Sequence, residues 1–444
     1  MSRPDDVELS ELSLLRGKSC DYKVKKLIGQ GVYGKVVCCI RLDNLQDVAV
    51  KVVRRSEVRA AWTELAALER ILSLNLYESN LVRFYEAFMH RGHMCLVLEM
   101  LDMNLFDLMK QREDEPLGLS EIRLILQQML EALNELKNIG LLHADIKPDN
   151  VMLVNHPEQP FRVKLIDFGL AIPVSELRSG VIIQPCSYRA PEVFLGLPLN
   201  EAVDMWSLGC VGAYLYLGQR LYPCNCEYEA VRVITQIHGL PGDHLLEAGL
   251  YSHKYFQRTG NTKNRKWMLK TRSQYTKTTG KESQQVKMIS DKYTCLDHIT
   301  QDHMQPETDS EQQDTQAFVS LLKRMLQVDP AIRIIPTEGL KHRFIPVRQS
   351  PRYTVPQQDV TSSHTVRADP EPRTRTFETH EEVSVQEAPS TSPEPTTSAA
   401  AGSDGPNDSA ERPCERRKHT PKESCCPSSY MLRSMFCCTT TTEE

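Results

Sequence analysis

The stretch that most constrains this chain is residues 141 to 154, Leu-Leu-His-Ala-Asp-Ile-Lys-Pro-Asp-Asn-Val-Met-Leu-Val. An apolar pair leads into the polar octet His143 to Asn150 and an apolar run leads out, so a buried scaffold holds up a loop carrying Asp145, Lys147 and Asn150. Chemistry is usually displayed on loops of this kind. Asp145 and Asn150 stand five positions apart, the spacing that lets one carboxylate orient a hydroxyl while an amide binds a metal. Downstream, Val-Lys-Leu-Ile-Asp-Phe-Gly places a second carboxylate, Asp167, after a short apolar strand and before Gly169.

Residues 22 to 29 alternate as a strand does, residues 29 to 34 make a glycine-rich turn, and Val36 to Ile40 resume a β-rich run, which reads as a hairpin. Gly29-Gln-Gly31-Val-Tyr-Gly34-Lys35-Val36 satisfies more than one phosphate-binding pattern. A Walker loop fails because Val36 stands where a hydroxyl must reach Mg²⁺, and both it and a dinucleotide-binding turn need a helix next. The form G-x-G-x-x-G-x-V fits, its glycines letting backbone approach phosphates without Cβ collisions; a plain β-turn is the bland alternative. In Asp47 to Val53 a period of two puts Val48, Val50 and Val52 on one face, with Ala49 and Lys51 on the other. Ala49 leaves room for a flat base and Lys51 can reach phosphate oxygens. Residues 57 to 74 read as a helix with Trp62, Leu65, Leu68 and Leu72 on one stripe. Glu64 is the expected ion-pair partner of Lys51, with Glu69 as the alternative.

Strands are expected over 81 to 89 and 94 to 100, and a crossover to a helical region at Glu99 to Asn104. The clearest helix spans Ser120 to Gly140, with Ser120 as N-cap and Gly140 as stop. Residues 200 to 216 form another, in which Asp204 is a structural anchor. Helix is also expected over 318 to 326. Residues 1 to 20 read as a leader with one turn of helix at Val7 to Leu15, and about 240 to 300 as an insertion, basic at Lys263 to Lys270. Beyond 347 the composition turns to Ser, Thr, Pro and Glu with one leucine. Such a segment cannot bury enough apolar surface to offset its ordering entropy, so it is expected to be disordered. Ser350, Ser392 and Thr420 each precede a proline there.

At 444 residues and 40% hydrophobic content the chain can build a large core, and a formal charge of -5 exerts no global pull toward nucleic acid or membrane. The N-terminus lacks a signal-peptide pattern and no run approaches eighteen apolar residues, so the expectation is an intracellular protein. The 14 cysteines include adjacent pairs, not zinc-type spacings, and read as reduced thiols.

Taken in order, Gly29-x-Gly31-x-x-Gly34-x-Val36, Val-Ala-Val-Lys51, His143-Ala-Asp145-x-Lys147-x-x-Asn150, Asp167-Phe-Gly169 and Ala190-Pro-Glu192 resemble the protein-kinase motif set. Residues 95 to 101, 143 to 154, 188 to 198 and 202 to 210 are similar to the homeodomain-interacting protein kinases of the CMGC group. The resemblance implies an α+β, two-lobed kinase fold: leader 1–21, kinase domain 22–346 (N-lobe 22–98, hinge 99–104, C-lobe 105–346) and tail 347–444. It implies ATP and Mg²⁺ as cofactors and serine and threonine as acceptors. Ile28, Gly29, Gly31, Gly34, Val36 and Ala49 would surround ATP, backbone of Glu99 and Leu101 would bond the adenine edge, and Leu98 would close the pocket. Lys51, held by Glu64, would grip phosphates; Asp167 and Asn150 would hold Mg²⁺; Asp145 would receive or orient the hydroxyl proton; Lys147 would offset charge on the moving phosphoryl group. By the same likeness Arg189 favours a proline after the acceptor and Glu192 pairs with Arg333. Partners would be protein substrates, transcription regulators among them, with the nucleus as the location and the cytoplasm as the alternative; a monomer without direct nucleic-acid or membrane contact is expected. The family's activation-segment tyrosine falls on Ile182, and Ala144 stands where many kinases carry a phosphate-reading arginine. A kinase-shaped scaffold without turnover is the rival reading; its sign would be a changed Lys51, Asp145, Asn150 or Asp167, and all four are intact.

Overall fold

A computed structural model of the chain describes residues 9–74, 79–223, 226–260, 265–283, 289–302 and 308–346. The expected disordered tail, with Ser350, Ser392 and Thr420, lies outside the described residues.

The first lobe is a six-stranded antiparallel sheet in the order β1-β2-β3-β4-β6-β5. Its strands are β1 (Leu14–Arg16), β2 (Asp21–Gln30), β3 (Gly34–Arg41), β4 (Asp47–Val53), β5 (Phe84–His90) and β6 (His93–Glu99), with helix α1 (Val58–Ile71) between β4 and β5. The alternation of β4 decides its two faces. Val48, Val50 and Val52 are buried with Tyr22, Val37, Cys95 and Val97 in a small core. Ala49 and Lys51 turn the other way, toward α1.

Two expectations fail here. From residue 9 on, where the leader is described, it contributes a strand, not a helical turn: Leu15 is fully buried, and Glu86 from β5 accepts from the backbone N–H groups of Lys18 and Ser19 and from the hydroxyls of Ser19 and Tyr22. That carboxylate ties residues 14 to 22 to the sheet. In α1 the buried face is Ala61, Glu64, Leu65, Ala67, Leu68 and Ile71, while Trp62 and Leu72 are exposed. The helix is rotated so that Glu64 faces the sheet.

The second lobe begins with α2 (Leu105–Gln111) and α3 (Leu119–Asn138). The start of α3 is capped at Gly118, whose N–H donates to Glu121 Oε2 at 2.7 Å, and not by Ser120. Short strands β7 (Leu141–Leu142), β8 (Val151–Leu153), β9 (Val163–Leu165) and β10 (Ile172–Pro173) pair as β7 with β10 and β8 with β9. They frame the loop 143–150. Helices α4 (Pro191–Leu195) and α5 (Ala202–Leu217) follow, and α5 is buried on all sides from Val203 to Leu217, the signature of a central core helix.

Helix α6 (Glu227–His238) precedes the insertion, which is built of regular elements: α7 (Asp243–Ala248), α8 (Ser252–Tyr255), a hairpin of β11 (Phe256–Thr259) and β12 (Lys266–Leu269), and α9 (Arg272–Thr279). Helix α10 (Asp309–Met325) begins well before the expected residue 318. A reciprocal cap explains the extension, since Glu311 N donates to Thr308 Oγ1 and Thr308 N to Glu311 Oε2, each at 3.2 Å. Short α11 (Pro336–Gly339) packs on α3. Glu192 and Arg333, both with no exposed side-chain surface, meet at 2.6 and 2.8 Å and close the lobe. No helix among the described residues is long and apolar enough to cross a membrane.

Candidate active site

Register assembles the upper wall. Val36 pairs with Lys51, Gly29 with Val36, and Ala49 with both Cys38 and Leu98. Paired residues share a sheet face, so Val36, Ala49, Lys51 and Leu98 lie on one face, the face from which Lys51 reaches Glu64. Ile28 sits in the register shift between Leu27 and Gly29 and is exposed.

A Cβ added to Gly31 would meet nothing within 4 Å, and one added to Gly29 would meet only Val36 at 3.8 Å, so the turn leaves an open cradle for an anionic group. Gly34 is required for another reason: at φ +156° its Cβ would fall 2.1 Å from Val52 O. Arg54, unnoticed in the sequence, ties the tip of the turn down. Its backbone N–H donates to Tyr33 O at 2.9 Å and its guanidinium to Val32 O.

The Lys51 ammonium lies 2.8 Å from Glu64 Oε2 and 2.8 Å from Asp167 Oδ1. Glu64 is therefore the partner and Glu69 is not. Burial alone would lower the lysine pKa, but the two carboxylates outweigh it and raise it. Asp167 shows the reverse balance: burial pushes it up, yet Lys51, joined by Lys147, holds it at about 2. It is an anion throughout the physiological range.

Asp204 orders the loop below. Its two oxygens accept from the backbone N–H groups of His143 and Ala144 at 2.8 and 3.0 Å, holding Ala144 at φ 64°. His143 Nε2 donates to Ile166 O at 2.9 Å while its Nδ1 accepts from Asp145 N at 3.2 Å, which fixes a neutral ring; burial lowers its pKa accordingly. The ring also meets buried Phe168 edge-on at 5.0 Å, anchoring Asp167 beside the loop.

Asp145 Oδ2 accepts from Lys147 Nζ and from Asn150 Nδ2, each at 2.9 Å. Among the described residues its Oδ1 carries no bond. Burial lifts the Asp145 pKa to about 6, with Asp167 adding to the rise while Lys147 and Asn150 oppose it. Asn150 Nδ2 also donates to Asp145 O at 2.8 Å, so the amide presents Oδ1 as its remaining acceptor. Anionic Asp167 and that amide oxygen are the hard donors Mg²⁺ takes, an ion that uses one or two protein ligands and completes its shell with water and substrate phosphate. The residues fit the ion.

The crossover 99–104 is braced by contacts invisible in the sequence. The Glu99 carboxylate accepts from Lys164 Nζ and Arg83 N, both at 2.6 Å, so its side chain is structural. Leu101 is buried, and Asp102 N to Leu153 O at 2.9 Å with Leu153 N to Met103 O at 2.8 Å fastens the segment to β8.

Beyond Asp167-Phe168-Gly169, buried Gln184 holds φ 65°. Its Nε2 donates to Val203 O and Ser207 Oγ, and its Oε1 accepts from Ala190 N. Arg189 caps its carbonyl and bonds Glu227 Oε1 at 2.9 Å. No motif in the sequence singled out Gln184.

A family model described as "Protein kinase domain" matches residues 22–345. The chain is 42% identical over 347 residues to homeodomain-interacting protein kinase 1 of Mus musculus, an alignment covering 77% of this chain and 28% of the mouse protein. It is 41% identical over 340 residues to homeodomain-interacting protein kinase 1 of Caenorhabditis elegans, covering 73% of this chain and 40% of that protein. With homeodomain-interacting protein kinase 4 of Homo sapiens it shares 36% identity over 354 residues, 76% of this chain and 57% of the relative.

Proposed function

This chain belongs to the protein kinase family, and on that premise we propose that it transfers the γ-phosphoryl group of ATP to serine and threonine hydroxyls of proteins, preferring a proline after the acceptor. The observation that carries the proposal is one connected charge array: Glu64, Lys51 and Asp167 in series, with Asp145, Lys147 and Asn150 bonded to one another below. Phosphoryl transfer asks a protein mainly for positioning and for charge placed in advance. Ile28, Val36, Ala49 and Leu98 would enclose the base, backbone of Glu99 and Leu101 would bond its edge, and the cradle at Gly29, Gly31 and Gly34 would admit the phosphates. Lys51, pre-aimed by Glu64, would hold their oxygens. Mg²⁺ on Asp167 and Asn150 would, when bound, neutralise phosphate charge. Asp145 would orient the acceptor hydroxyl through its free Oδ1, and Lys147 would balance the charge on the transferred group.

Proline preference follows from the floor of the acceptor site. The left-handed turn at Gln184 directs its carbonyl to Arg189, so it is spent and cannot receive an N–H from the residue after the acceptor. Proline has no N–H to satisfy. The relatives' names record interaction with homeodomain proteins, so we place transcription regulators as first candidate substrates, in the nucleus. Purified protein with Mg²⁺, radiolabelled ATP and a basic protein substrate should show transfer that Asp167→Asn removes. ATP binding without transfer to any substrate would support the scaffold reading instead.

A further inference from the structure

Residues 248–281 hold nine Lys and Arg and no Asp or Glu, in a chain whose overall charge is -5. The fold gathers the eight that lie in described residues into one unit of α8, the β11–β12 hairpin and α9. Two of its arginines are neutralised at its edges, Arg258 by Glu247 and Arg272 by Glu229. Arg265, Lys266, Lys277 and Lys281 are exposed and have no ion-pair partner among the described residues. Lys254, 3.8 Å over the Tyr251 ring, has its pKa lowered by burial and by Lys281. Positive charge outnumbers the carboxylates at the edges of the unit, an arrangement that favours an anionic partner.

The unit is bonded to the segment that receives substrate. Tyr251 OH donates to Gly180 O at 2.8 Å. Tyr255 OH donates to Glu227 Oε2 at 3.1 Å, and Glu227 Oε1 accepts from Arg189. On the kinase reading Arg189 lies beneath the position after the acceptor, and its bonds through Glu227 to Tyr255 put α8 next to that position.

We propose that this hairpin unit docks an Asp/Glu-rich stretch of a protein substrate lying C-terminal to the acceptor–proline pair, a proposal that rests on the kinase reading above. Single-stranded nucleic acid fits less well because its bases stack on open aromatic faces. Here Arg258 covers Trp267 at 4.8 Å, and Tyr255 and Tyr275 are buried against each other.

The test compares, on the full chain at low salt, Ser-Pro peptides of equal length carrying an acidic run downstream, an acidic run upstream, a phosphoserine run downstream, or a neutral run. The downstream Asp/Glu run is expected to lower KM about tenfold with kcat unchanged, since a few exposed pairs sum to that size. The advantage should vanish in Arg265→Glu/Lys266→Glu/Lys277→Glu/Lys281→Glu and in the corresponding four-Gln variant, while both keep wild-type turnover of the neutral peptide. Equal KM for acidic and neutral runs, an equal gain from an upstream run, a gain confined to phosphoserine, or a gain surviving in both variants overturns the proposal. So does single-stranded RNA displacing a labelled acidic peptide more strongly than an unlabelled copy does. Anisotropy of the labelled acidic peptide, bound by wild type and not by either variant, reads docking by itself; binding there with no turnover of any peptide would contradict the kinase reading alone.

Discussion

Arg189 and Gln184 form a closed unit: Nε and Nη2 of the arginine donate to the glutamine carbonyl at 3.2 and 3.0 Å, and Gln184 holds φ 65° to present it. A residue with an N–H after the acceptor would bury that group unbonded, at a cost of about 1–3 kcal/mol. Matched Ser-Pro and Ser-Ala peptides should therefore differ in kcat/KM by at least about fivefold, proline being favoured. Equal values would remove Gln184 from the account.

A pH profile should report Asp145. Its pKa of about 6 is raised above the ordinary carboxylate range, so turnover falls as pH drops through about 6 and the group takes up its proton. Stability moves the opposite way. The folded state binds this proton more readily than the unfolded one, so the folding penalty is absent below about pH 4 and complete above about pH 6. The charged groups facing it are Lys147 on its own loop, which offsets the penalty, and Asp167, which adds to it. Asp145→Asn should accordingly raise the melting temperature at pH 7.5 while abolishing turnover; an unchanged or lower value would contradict the burial argument.

The buried Glu192–Arg333 pair carries a structural prediction. Arg333 also donates to Ala202 O and Gln327 O and lies 5.3 Å over the Trp206 ring. Arg333→Ala leaves Glu192 charged and unpaired inside the lobe, costing about 3–5 kcal/mol in denaturant unfolding. Glu192→Leu combined with Arg333→Met should recover part of that loss.

Activity is predicted to be independent of activation-segment phosphate. Ile182 has no hydroxyl, Ala144 offers no charged partner, and Val181 with buried Ile183 packs the segment onto the core. Ile182 itself is 37% exposed, so its neighbours supply the packing. Phosphatase-treated protein and Ser179→Ala/Ser187→Ala should each retain most of the untreated rate. Ser187 Oγ is buried without a partner, so its removal costs little. A large loss in either case would show that phosphate still orders the segment.

How far the sequence could be read followed from the range of the interactions involved. The β4 alternation and the loop 143–150 were legible because period and motif spacing are local. The identity of the lysine's partner was not, since Glu64 and Glu69 both lie on α1 and only its docked rotation separates them. Trp62 misled for the same reason: an apolar residue is free to lie outside, and the buried stripe was set by Glu64 and the small Ala61 and Ala67. Arg54 and Lys164 act through contacts 22 and 65 positions away, the Gln184 amide reaches Val203 19 positions on although Arg189 is only five away, and Glu86 holds Lys18, just after strand β1, at a separation of 68. No window along the chain contains such pairs.

The most direct test of the central claim measures ATP binding by calorimetry and phosphoryl transfer on the same preparations of wild-type and Asp145→Asn protein. Wild type should bind ATP and transfer phosphate; Asp145→Asn should keep its ATP affinity and lose at least about a hundredfold in kcat, as loss of a proton-handling group does. Transfer that persists undiminished in Asp145→Asn, or wild-type protein that binds ATP and transfers nothing, would contradict it.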